Sequence, residues 1–182
     1  MQIVSISGKA QHGKDTTAQF LRDAMEREGK KVLIIHYGDL VKFTCTAFCG
    51  WDGKKDEAGR SMLQRVGTER VRSKDPDYWV NYVLFMINAL KSSEKWDYVL
   101  IPDCRFPNEI HGIHLRVERP DFDNGLTEEQ KQHPSETALD DYPTDLKICN
   151  SGTLVDLRDM CDLLVADAVH YFCDAQCRGV SV

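Results

Sequence analysis

Apolar residues recur along this chain with two different periods, and the switches between them mark the elements. Ile3-Val4-Ser5-Ile6-Ser7 alternates as a short strand does. Beyond Lys14, residues Ala18, Leu21 and Met25 fall on one side of a helix and Arg22 and Glu26 on the other. Glu28-Gly29-Lys30-Lys31 ends that helix with a glycine and places cations at its negative end. Val32–Tyr37 is nearly all apolar, as in a strand buried on both faces of a parallel sheet, so the chain opens with a βαβ unit. Asp39 then reads as the N-cap of a helix to about Phe48. A loop over 50–56 leads to a helical run from Arg60 to Arg72, divided at Gly67-Thr68. A third helix, Tyr78 to Leu90, carries Trp79, Val83, Met86, Ile87 and Leu90 on one side. Roughly sixty residues of helix exceed what a parallel crossover needs, which marks 38–95 as an insertion that builds a substrate site.

Tyr98–Asp103 is the next strand and Leu115–Pro120 the fourth. Only about ten residues, Cys104 to Ile113, join them, at or below the minimum for a crossover with a helix. Either this connection is unusually tight, or residues of the natural protein are missing from the chain. Residues 120–142 are polar and acidic, with Asn124-Gly125 and two prolines, and suit a lid-like loop with short helical pieces. Leu146–Cys149 is a last short strand. Thr153 caps a closing helix carrying Leu154, Leu157, Met160, Cys161, Leu164, Val165, Ala168 and Phe172. The pattern predicts one α/β domain over 1–182.

Composition narrows the function. At 182 residues the chain can bury a full α/β core, and its net charge of −6 argues against nucleic-acid or membrane-surface binding. Met1-Gln2-Ile3 runs straight into the first strand with no signal peptide, and no apolar run is long enough to span a bilayer. The seven cysteines form no C-x-x-C; Cys45/Cys49 and Cys173/Cys177 are four apart, on one helix face, so reduced thiols in a cytoplasmic protein are expected. His111 and His114 are close together but lack a second ligand pair.

The candidate chemistry lies between the first strand and helix, where Gly8-Lys9-Ala10-Gln11-His12-Gly13-Lys14 has the form of a phosphate-binding P-loop. Glycines let successive N–H groups turn toward a phosphate, and the helix start adds its unpaired donors. Gly8, Lys9, His12, Gly13, Lys14, Asp15, Thr16 and Thr17 are the expected ATP-binding residues, with Lys14 exposed at the loop to neutralise the outer phosphates. Asp15 replaces the usual magnesium-binding hydroxyl. Asp103, at the end of an apolar strand, suits a Walker B acid, so Asp15 and Asp103 are the expected Mg²⁺ ligands. No Asn-Lys-x-Asp segment supports a GTPase, and a non-catalytic nucleotide-binding module would not need both Lys14 and Asp103.

Several segments together carry a resemblance. They are Gly8–Thr16, Gly38-Asp39-Leu40-Val41-Lys42, Leu63–Arg72 with its Gln-x-x-Gly-Thr-Glu, and Asp77-Tyr78-Trp79-Val80. Asp103-Cys104-Arg105-Phe106-Pro107-Asn108-Glu109, Arg116–Pro120, His133-Pro134-Ser135-Glu136 and Asn150–Leu154 complete the set. The chain resembles the deoxynucleoside monophosphate kinases of the P-loop kinase superfamily, known from bacteriophages and bacteria. It departs from them at Pro102, where the strand usually has a small or hydroxyl residue, and in the short connection after Glu109.

The resemblance implies a three-layer α/β/α fold with a mainly parallel sheet of about five strands. It also implies Mg²⁺-dependent transfer of the ATP γ-phosphoryl group to a (deoxy)nucleoside 5′-monophosphate. Lys14, Asp103 and Arg105 would be the catalytic residues. Asp39, Lys42, Arg60, Gln64, Thr68, Arg72 and Trp79 would hold the acceptor: arginines for its phosphate, Gln64 for a base edge, and Trp79 or Phe43 for stacking. Arg116, Arg119 and Lys131 are cations that lid closure could bring in. A P-loop kinase acting on another small phosphorylated or hydroxyl-bearing metabolite is the alternative, and a homodimer is left open.

Overall fold

The computed structural model describes residues 1–54, 56–93 and 95–177. Five strands, β1 (Gln2–Ser7), β2 (Val32–Ile34), β3 (Tyr98–Cys104), β4 (Ile113–Glu118) and β5 (Leu146–Cys149), form one parallel sheet in the order β2-β3-β1-β4-β5. The helices are α1 (Lys14–Arg27), α2 (Tyr37–Cys49), α3 (Glu57–Gln64), α4 (Tyr78–Ser93), α5 (Glu128–Lys131), α6 (Pro134–Thr137) and α7 (Leu154–Cys177). The three-layer architecture follows from strand alternation. Val4, Ile6 and Leu100 point to one face, where Ala18 and Leu21 of α1 and Leu157, Cys161 and Val165 of α7 cover them. Val99 and Ile101 point to the other, under Tyr37 of α2 and Val80, Val83 and Ile87 of α4. The helical segment between β2 and β3 adds a small core of its own, with Cys45, Trp51 and Val66 buried together.

Four local expectations are corrected. The second strand is shorter than its apolar run, because Tyr37 already belongs to α2. The N-cap position of α2 is His36, which makes no side-chain cap bond, and not Asp39; α3 begins at Glu57, where the Asp56 side chain accepts from the Gly59 N–H at 2.8 Å. Nor does Gly67-Thr68 divide two helices. A π-helix, Arg65–Arg72, runs through it, and its widened turn is closed by Ser73 N–H donating to Thr68 O at 3.0 Å.

The short connection after β3 is a tight crossover with no α-helix, only the 3₁₀ turn Pro107–Glu109. Cys104 sits beside Ser7 and Ile113 beside Val4, so the chain drops only a few residues of strand height while passing over β1. Ser5 holds it there: its hydroxyl donates to His111 O and accepts from His111 N–H, both at 2.8 Å. Gly112 lies so close to β1, at φ +67°, that a Cβ would sit 2.2 Å from Ile3 O. Pro102 also finds its place. The β1–β3 register slips between Ser5 and Ser7, and Pro102 falls within that irregularity, the kind of strand position that tolerates a residue without an N–H.

Cys45, Cys104 and Cys161 are buried thiols, while Cys49 and Cys149 are exposed; all five are free. His114 is a buried packing residue: Nδ1–H donates to Pro143 O at 2.6 Å and Nε2 accepts from the Ser7 hydroxyl at 2.7 Å. The expectations for the side chains of Ala168, Phe172, Cys173 and Cys177 lie outside the described residues. Among the described residues no helix is long and apolar enough to cross a membrane.

Candidate active site

The loop after β1 is shaped by its glycines. Gly8 sits at φ +149°, and a Cβ there would meet Val117 O of β4 at 2.3 Å, so the position admits only glycine; Gly13 forms the left-handed N-cap of α1. Gln11, at φ +61°, is strained in the same turn. His12 is fixed from both sides: Nδ1 accepts from Arg119 N–H at 3.1 Å, and its carbonyl accepts from Asn150 Nδ2 at 3.0 Å. Burial holds its pKa below the usual histidine value. Thr16 lies in the first turn of α1, while Thr17 is wholly buried behind it.

Lys14 corrects the expectation of an exposed side chain. It is 8% exposed and curls under the loop, donating to Gly8 O at 2.7 Å and Lys9 O at 2.9 Å. Burial, with Arg105 nearby, pushes its pKa down to about 8.

Asp15 is largely open to solvent and accepts from His36 Nε2 at 3.0 Å, a bond that holds its carboxyl below the usual range and raises His36. His36 also meets Asp39 at 3.2 Å, and Asp39 meets Lys42 at 2.7 Å. Asp103 accepts from Tyr37 N–H at 2.9 Å and Gly38 N–H at 2.8 Å. A carboxylate from another strand thereby satisfies the orphan donors that open α2. Oxygen donors on Asp15 and Asp103 suit a hard cation such as Mg²⁺. Among the described residues no three His, Cys, Asp or Glu side chains are grouped so as to hold a metal ion by themselves.

Beside this cluster lies a cavity of about 680 Å³. Lys42, Arg60, Gln64, Thr68, Arg72 and Trp79 line it, facing Ala10, Asp103 and Arg105. The π-helix explains how four residues spaced by four share one wall. In an α-helix a step of four overshoots a 3.6-residue turn, whereas i→i+5 bonding makes the turn longer than four, so the drift reverses. The indole N–H of Trp79 donates to Gly67 O at 2.9 Å and the ring is 2% exposed, so it backs the π-helix. Phe43 is not part of the wall; it is 61% exposed and packs edge-on against Phe48. Asp39 turns instead to His36 and Lys42.

Two acids that sequence reasoning gave no role organise the arginines. Glu109 is buried, pairs with Arg72 at 2.7 Å, and accepts from the Arg105 and Phe106 N–H groups at 2.6 and 3.1 Å. Burial raises its pKa against the pull of Arg72, whose guanidinium also lies 4.6 Å from the centre of the Phe106 ring. Glu136 pairs with Arg105. Both acids stand in the segments that carried the resemblance, and only the fold shows which cations they meet. A second cavity, about 520 Å³, separates the loop residues Lys9 and His12 from Phe122, Asn124 and Lys131. Arg116 is tied to Leu139 O and Asp140, and Arg119 stacks on Phe122 at 3.8 Å.

No family model matches the chain. In fold it is similar to dephospho-CoA kinase from Campylobacter jejuni, with a TM-score of 0.55 and 15% identity over 91% of this chain and 96% of that one. A Mycobacterium tuberculosis APS kinase bound to AMPPNP and APS aligns over 90% of this chain and 96% of its own, with a TM-score of 0.44 and 13% identity. The dephospho-CoA kinase likeness identifies the P-loop kinase fold. By sequence, the chain is 30% identical over 162 residues to the uncharacterized protein ORF77 of Ictalurid herpesvirus 1 (strain Auburn), covering 86% of this chain and 67% of that protein. The chain therefore belongs to the family of the herpesvirus ORF77 protein, built on a P-loop kinase fold.

Proposed function

We propose that the chain transfers the γ-phosphoryl group of ATP to a nucleoside or deoxynucleoside 5′-monophosphate. The observation that carries this reading is the stripe Arg60-Gln64-Thr68-Arg72, which faces Arg105 across one cavity beside the P-loop. A phosphate-bearing acceptor needs guanidinium groups to meet its dianion, and a base needs a hydrogen-bonding edge such as Gln64. The 38–95 insertion is then the acceptor-binding unit and 120–142 the lid. Lys14 and Arg105 neutralise charge on the transferred group, and closure of the 120–142 lid excludes water. Asp15, and Asp103 directly or through water, would hold Mg²⁺, which supplies charge neutralisation on the phosphates when bound.

A coupled assay of ADP release against each common NMP and dNMP tests the proposal. Turnover with one or a few of them is expected. ATP binding without turnover on any nucleotide would overturn it in favour of another small phosphorylated or hydroxyl-bearing acceptor.

A further inference from the structure

The segment after β4 folds back onto the P-loop at three points. Lys9 Nζ lies 3.2 Å from Asp140, Gln11 Nε2 donates to Asn124 O at 3.0 Å, and the Ala10 N–H donates to Glu136 Oε2 at 2.8 Å. The third contact differs in kind. The Glu136 side chain is 7% exposed, and its other oxygen receives the Arg105 guanidinium. One carboxylate thus joins a P-loop amide to a cation of the facing wall, and Ala10, Arg105 and Glu136 all line the 680 Å³ cavity.

A backbone N–H and a guanidinium are the donors that a phosphoryl oxygen would also seek. The amides at the start of α1 suit the inner phosphates of a nucleotide. Ala10 lies on the opposite arm of the loop, beside the acceptor cavity, so the oxyanion it would meet is the one passing between donor and acceptor. Resting on the phosphotransfer reading, we infer that Glu136 is a positioning residue that competes with the transferred phosphoryl group for the Ala10 amide and Arg105. It keeps both donors aligned, and the γ-phosphate takes them over. Only hydrogen bonds and ion pairs are exchanged; no covalent bond is made or broken. The tie between the 120–142 segment and the loop therefore loosens with a nucleoside triphosphate and persists with a diphosphate.

The test is calorimetric titration of ATP and of ADP, without acceptor, into the wild type, Glu136→Gln and Glu136→Asp, with melting temperatures measured in parallel. Removing a charge-assisted competitor should tighten ATP binding by about tenfold in Glu136→Gln, while ADP affinity stays within about twofold. Glu136→Asp, which keeps the charge but withdraws it by one methylene, should give a smaller gain in the same direction. Equal changes for ATP and ADP would overturn the proposal. So would a joint loss of stability and of both affinities, the mark of a merely structural residue. A wild type that binds both nucleotides, with variants that match it, would remove only the role of Glu136. A wild type that binds neither would remove the phosphotransfer reading itself.

Discussion

Lys14 is a site residue whose surroundings change its chemistry. Its pKa of about 8 lies below the ordinary 10.5 because the ammonium is buried beside Arg105. Below about pH 8 it is charged in the folded and unfolded chains alike; above that, the folded chain releases its proton first, so the unfolded chain binds more protons. Stability should therefore rise with pH between the two values on this account. A phosphate at the loop acts oppositely, restoring the charge, so ATP binding near pH 9 should take up about one proton. Calorimetry in buffers of different ionisation enthalpy reads this directly, and a buffer-independent heat would show that Lys14 titrates normally. The two arginines of the stripe, proposed to hold the acceptor, differ in their surroundings as well. Arg60 is an exposed member of the stripe, so Arg60→Ala should raise the acceptor KM by roughly ten- to a hundredfold, with the melting temperature nearly unchanged. Arg72 is paired with buried Glu109, and Arg72→Ala leaves that carboxylate alone. It should cost about 3–5 kcal/mol of stability in a urea titration as well as acceptor binding. Equal stability of the two variants would mean that the Arg72–Glu109 pair does not hold in solution.

At the scale of elements, the strand and helix identities follow from local pattern, while their ends follow from neighbours. Asp103 of β3 supplies the acceptor that the first turn of α2 lacks, which moves the helix start to Tyr37. The crossover after β3 stands on Ser5 and Gly112. Gly112→Ala should destabilise the protein by at least about 1–3 kcal/mol, since it combines a positive φ with a clash against Ile3 O. Chemical denaturation measures this, and a neutral result would show that the crossover can lift away from β1.

For the molecule as a whole, two buried apolar clusters lie back to back on the two faces of one sheet, so they should unfold as a unit. Leu100, fully buried on β3 beside the central strand β1, tests this: Leu100→Ala should cost about 2–5 kcal/mol and shift fluorescence and circular-dichroism transitions together. Separate transitions would mean that the helical segment over Cys45, Trp51 and Val66 folds independently. The sequence by itself determined the strand–loop–helix of the P-loop, the five strands and the helical run before β3. All of these are written in periodicities of two and 3.6 or in residue types a few places apart, and local sterics enforce them. Tertiary structure decided that Lys14 is buried, that Asp103 caps α2, and that Gly67 lies within a π-helix. It also paired Glu109 and Glu136 with the arginines of the cavity. Those outcomes depend on which groups from distant segments meet when the sheet closes, and burial and Coulomb terms are set by these meetings and by no local pattern.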